Sequence, residues 1–155
     1  MPPIAPEISL SASPLRQVDH LLAAYGESHR NPTNELIHYA AIPLIVFSLI
    51  GVLHWVHPYL ALVTIAASVV YYARLSTLFM VIMTLFAALC LYGVALLGAA
   101  LLPVCVAIFV VSWIFQFIGH KIEGKKPSFF EDLQYLLVGP LFVLSKLLLR
   151  LGVNW

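Results

Sequence analysis

Between Leu36 and Ala73 the chain carries no Asp, Glu, Lys or Arg, and between Leu75 and Gly119 it again carries none. At ~1.5 Å of rise per residue, each run is nearly twice as long as a ~30 Å hydrocarbon core requires. Each run therefore predicts a helical hairpin that crosses a membrane twice. Within the first, one crossing spans roughly 36–55, a short turn HWVHP follows, and a second crossing spans 58–74. Tyr71, Tyr72 and Arg74 sit where interfacial anchors belong. Within the second, crossings are expected over 76–98 and 101–119, joined by a tight uncharged turn from Gly98 to Pro103. The last of these is expected to end at Gly119-His120.

The flanking segments alternate more. Residues 1–12 are rich in Pro and Ser and are expected to be disordered. Ser13-Pro14 is a cap followed by a first-turn proline, and Leu15, Val18, Leu22 and Tyr25 recur at helical spacing before Gly26. This predicts a short amphipathic helix on the membrane surface. Asn31-Pro32 repeats the start signal and places Glu35 and His38 on one helix face. After the polar loop KIEGKKP, Ser128 and Glu131 form a capping box, so a helix is expected from about Phe129, broken or kinked at Gly139-Pro140. The remainder, Leu141 to Leu151, carries Lys146 and Arg150 at i, i+4 and reads as re-entrant, interfacial or a fifth crossing. The expected fold is an all-α, multi-pass transmembrane bundle of four crossings plus this segment, with residues 13–155 as one membrane-embedded domain.

Composition agrees with the pattern. Apolar residues are 62% and charged residues 10% of the chain, against the ~25% charged of a soluble domain. The net charge of +1 gives no electrostatic footprint for nucleic acid. The N-terminus lacks a basic region and a continuous apolar stretch, so no cleaved leader is expected. Cys90 and Cys105 fall inside apolar runs and read as small packing residues. With four crossings, Arg16, Arg30, Arg74, Lys121, Lys125 and Lys126 share one side, and the opposite turns carry no positive residue. The N-terminus is therefore expected in the cytoplasm, and Lys146 and Arg150 favour a last segment that stays there.

That topology sorts the histidines. His20, His29, His38 and His120 face the cytoplasm, whereas His54 and His57 lie at the far end of the first hairpin, ~30 Å away. Glu35-x-x-His38 and His120-x-x-Glu123 are two carboxylate–histidine pairs, and Gln116 lies four residues before His120. Glu-x-x-His is the spacing of helix-bundle di-iron sites, and imidazoles with a carboxylate and open positions suit a non-haem Fe(II) oxygenase. The same residues also read as interfacial anchors and helix caps, and spacing alone leaves both readings open.

Two blocks carry a resemblance. Tyr25-x-x-x-His29-x-Asn31-Pro32-x-Asn34-x-x-x-His38, followed by IPLIVFS, resembles the opening of the membrane 2-hydroxy fatty acid dioxygenase family of α-oxidation, formerly a domain of unknown function. WIFQFIGHKIEGKKPSFFEDL (113–133) resembles that family's second block. One departure is that only Lys121 and Ile122 separate His120 from Glu123, where the eukaryotic members have three residues. The resemblance implies an Fe(II)-dependent dioxygenase that uses no 2-oxoglutarate. It would cleave the C1–C2 bond of a 2-hydroxy fatty acid with O2, leaving a fatty acid one carbon shorter. Its catalytic and metal-ligating histidines map to His29, His38 and His120. Glu35, Glu123, His20 or water is left as the further ligand, and Asn31, Asn34 and Gln116 are candidates to hydrogen-bond the imidazoles. Lys121, Lys125 and Lys126 can meet the substrate carboxylate or simply set topology. The implied partners are the 2-hydroxy acid, O2 and membrane lipid, with the active site in the cytoplasm and a bacterial inner membrane favoured over the endoplasmic reticulum. The rival readings are a di-iron lipid hydroxylase or desaturase, and a non-catalytic membrane binding or transport protein.

Overall fold

A computed structural model describes residues 16–124 and 135–153. The described elements are α1 (Gln17–Gly26), α2 (Pro32–Val56), α3 (Pro58–Leu75), α4 (Thr77–Leu97), a 3-10 turn (Gly98–Ala100), α5 (Leu101–Glu123) and α6 (Val138–Arg150). No strand occurs among the described residues. Three helical stretches are long and apolar enough to cross a membrane: α2, α3 and the 47-residue stretch Thr77–Glu123, which contains α4 and α5.

The helix ends follow from local chemistry. The Asn31 side chain accepts the Thr33 N–H at 2.9 Å, with Pro32 in the first turn of α2. His57 ends α2 and starts α3, its Nδ1 accepting the Tyr59 N–H at 3.3 Å, with Pro58 next. The turn HWVHP is thus a cap-and-proline corner. Gly98 has φ +50°, a conformation that favours glycine, and there the 47-residue stretch divides. The expected Ser13-Pro14 start, the disordered segment 1–12 and the Ser128–Glu131 capping box lie outside the described residues.

Packing fixes the direction of each helix. One cluster joins Val18, Leu22 and Tyr25 of α1 to Ile42, Tyr72, Phe79, Met83 and Val138. The other joins Ile50, Cys90, Val94, Leu101 and Cys105. α2 therefore runs from the first cluster to the second, α3 returns, α4 goes out again and α5 comes back. α2 and α5 form the most extensive pair. Two glycines allow that closeness: a Cβ on Gly51 would press into Cys105 Sγ, and one on Gly119 into Asn34 Oδ1. Such small-residue contacts are how helices approach where lipid supplies no hydrophobic drive.

Two elements differ from the sequence reading. α5 does not end at Gly119-His120 but continues one turn to Glu123, and Gly124 in the left-handed region (φ +75°) stops it. Gly119 is tolerated inside the helix because Asn34 fills the place of its missing Cβ. At the other end, Gly139-Pro140 stands in the first turn of α6, where a proline removes an N–H that would have no helical partner anyway. α6 is 13 residues, or ~20 Å, and packs on α1 and α2.

Candidate metal centre

The three histidines of the two motifs meet at the end of the bundle closed by α1 and α6. His29 comes from the loop between α1 and α2, His38 from the second turn of α2, and His120 from the last turn of α5. They are 3%, 0% and 5% exposed. Their ring centroids are 4.3 Å (His29–His38), 5.1 Å (His38–His120) and 5.6 Å (His29–His120) apart, and one ring nitrogen of each lies within 4.8 Å of the others. This is the metal-capable group found among the described residues, and Glu35, Glu123 and His20 stand outside it.

Two rings are oriented by their own backbone. His29 Nδ1 lies 2.8 Å from the Tyr25 carbonyl, and His38 Nδ1 lies 2.9 Å from the Asn34 carbonyl. A carbonyl only accepts, so each Nδ1 carries the proton and each Nε2 keeps its lone pair. That leaves each Nε2 able to bind a metal, with the other ring nitrogen anchored by a backbone carbonyl. The His29 ring also stacks on Tyr25, with centroids 4.2 Å apart at 12°. The sequence reading places Tyr25 on the apolar face of α1 and in the first motif, and assigns it nothing at the site. Its i, i+4 spacing from His29 was the available signal.

Glu123 acts across the chain. Its carboxylate accepts the Arg30 N–H at 3.0 Å, the Asn31 N–H at 2.8 Å and Asn34 Nδ2 at 3.0 Å. It thus closes the start of α2 from the end of α5, where an anion also suits the helix dipole. Asn34 is itself fully buried, and Nδ2 additionally donates to the Ser28 carbonyl at 3.2 Å. Glu123, Asn34 and Asn31 therefore fix the loop that carries His29.

Glu35 points elsewhere. It accepts from the Tyr39 hydroxyl and pairs with Lys146 at 3.4 Å, while the Arg150 guanidinium sits 5.5 Å over the Tyr39 ring. These contacts join α2 to α6. His20 is exposed on α1, and Lys121 is exposed on α5. Lys125 and Lys126 lie outside the described residues. Gln116 is 4% exposed, and its Oε1 is buried without a hydrogen-bond partner among the described residues. Leaving such an acceptor unsatisfied costs about 1–3 kcal/mol. It borders a cavity of about 20 Å³ that Tyr25, Ile42, Trp113 and Leu136 also line, room for a single small molecule. His54 and His57 sit at the opposite end of the bundle.

Three buried imidazoles, two held in the ligating tautomer, fit a divalent metal of the nitrogen-preferring series, iron included. Fold and site together define a helical, membrane-associated protein with a buried three-histidine group at one end of its bundle. The chain belongs to the Mpo1-like family, described as 2-hydroxy-palmitic acid dioxygenase Mpo1-like, whose model matches residues 15–151. It is similar to the 2-hydroxy-palmitic acid dioxygenase MPO1 of Saccharomyces cerevisiae, at 33% identity over 141 residues, covering 84% of this chain and 79% of the yeast protein. No solved structure matches it.

Proposed function

We propose that the protein is an Fe(II)-dependent dioxygenase that cleaves the C1–C2 bond of 2-hydroxy fatty acids with O2 to leave a fatty acid one carbon shorter. The observation that carries this reading is the convergence of His29, His38 and His120, in a chain similar to a protein named for that substrate class. Iron held by these three imidazoles would supply the redox chemistry that O2 requires and leave positions for substrate.

The chain's own groups do the rest. Tyr25 and Asn34 hold His29 and His38 by their carbonyls. Glu123 fixes the loop between α1 and α2. The burial of all three rings excludes bulk water from the site. The Lys121 ammonium stands exposed one residue beyond His120 and meets the incoming carboxylate. One group of three histidines favours a single iron over a di-iron centre, which would need more ligands than are gathered among the described residues.

In this reading α2–α5 cross the membrane four times, α6 stays on the side of the site, and that side is cytoplasmic, in a bacterial inner membrane. The four alternating helices and the ~20 Å length of α6 support this arrangement.

The test is metal analysis with oxygen uptake on purified protein. One iron per chain and O2-dependent loss of 2-hydroxypalmitate are expected, both abolished in His29→Ala, His38→Ala and His120→Ala. Iron retained in all three variants ends the metal assignment, and two irons per chain end the mononuclear one.

A further inference from the structure

A second cavity adjoins the small one that Gln116 borders. It measures about 240 Å³ and is lined almost wholly by apolar side chains of α2, α3 and α4. From α2 it takes Val46, Leu49 and Leu53, from α4 Met83 and Ala87, and from the turn before α6 Leu136. Leu136 also lines the small cavity that holds Gln116. The two spaces are thus consecutive along α2: the small one faces Ile42 and Ile45, the large one begins at Val46. At the helical rise, Ile42 lies about 6 Å from His38 along the axis, Val46 about 12 Å and Leu53 about 22 Å. The small space, a neck lined by Gln116 and by Tyr25, which stacks on His29, and the long apolar chamber that shares Leu136 with it match an amphiphile with one head and one chain. The hydrocarbon of one bilayer leaflet covers ~15 Å, comparable with the run from the neck to Leu53. The buried Gln116 carbonyl oxygen, which no described group satisfies, faces the neck and awaits a donor; a 2-hydroxyl group is one.

We propose that this chamber is the acyl-chain slot of the site, that its far end around Leu53 and Ala87 sets the preferred chain length, and that Leu136 is the gate between neck and chamber. The headgroup part of this inference rests on the proposed function; the occupant, a single acyl chain, rests on the chamber. A large side chain at Ala87 shortens the slot, and a small one at Leu53 lengthens it.

The experiment measures kcat/KM for 2-hydroxyoctanoate and 2-hydroxypalmitate in wild type, Ala87→Phe and Leu53→Ala. Leu89→Phe, on the exposed face of α4, is the control. In parallel, 2-hydroxypalmitate bearing a terminal diazirine is photolysed on wild type and the labelled residues are mapped. Ala87→Phe is expected to raise the short-to-long ratio at least tenfold. Leu53→Ala is expected to move it the other way, the control to leave it unchanged, and the label to fall on residues 49–53 and 83–87. Both slot variants keeping the wild-type ratio while the acids are consumed overturns the slot and leaves the activity standing. If Ala87→Phe fails to fold, Leu53→Ala and the label decide. If wild type consumes neither acid, the proposed function falls; label in the chamber then keeps the acyl slot, and label spread over lipid-facing Leu85 and Leu89 removes it.

Discussion

Glu123 shows how one side chain can hold a site it does not enter. Its three donors all belong to the loop and first turn around His29 and Asn34. Glu123→Gln keeps the shape but removes the charge and one acceptor, and should cost about 1–2 kcal/mol, read as a lower midpoint of thermal unfolding in detergent. Iron affinity should fall with it, because His29 rides on the same loop. Gly119→Ala is expected to do worse, since the added methyl meets Asn34 Oδ1 and His38 Cε1; overpacking of this kind costs about 1–3 kcal/mol. A variant that keeps wild-type stability and iron would show that Asn34 has room to move. Much of this was legible beforehand. The histidines stand out because an apolar chain has few polar groups to place, and topology separates them from His54 and His57. The partners of Glu123 were not legible, because a contact between residues 31 and 123 leaves no local pattern.

At the scale of elements, α2 and α5 act as one unit. Gly51 of α2 admits Cys105 of α5, and Gly119 of α5 admits Asn34 of α2, one glycine near each end of the pair. Gly51→Leu should separate the two helices and so pull His120 from His38, even though residue 51 lies more than three turns from the site. Loss of iron from this variant, with helix content by circular dichroism unchanged, is the expected result. The link from α6 to α2 through Lys146 and Glu35 is partly exposed, and ion pairs open to solvent contribute at most about 1 kcal/mol. Lys146→Ala should therefore leave the unfolding midpoint within a few degrees of wild type. The helices themselves were readable from apolar runs and from Asn-Pro and His-Pro starts. The extra turn of α5 was not, because glycine usually weakens a helix and only the neighbouring Asn34 reverses that expectation.

The whole molecule shows apolar side chains on its outside. Leu36, Val63, Leu85, Leu89 and Leu96 are all largely exposed, as a surface meeting lipid requires and a soluble one avoids. The proposed topology predicts that a cysteine at Lys121 reacts with an impermeant maleimide from the cytoplasmic side, and one at Ala100 from the opposite side. The native thiols are buried and should stay silent. Both new cysteines reacting from one side would remove the alternating arrangement. The membrane character was plain from two uncharged runs, whereas the packing partner of each helix was not, since a lipid-facing and a protein-facing leucine read alike.

The bond between Glu123 and Asn31 spans 92 positions of the chain, and this bears on the order of events during synthesis. When the ribosome has delivered α2, α3 and α4, the nascent protein owns two of its three histidines and an uncapped loop. Ligation becomes possible only after α5 has been inserted and has come to rest against α2. On the proposed function, metal capture therefore waits for α5, and a chain interrupted before that point emerges unable to gather the three imidazoles.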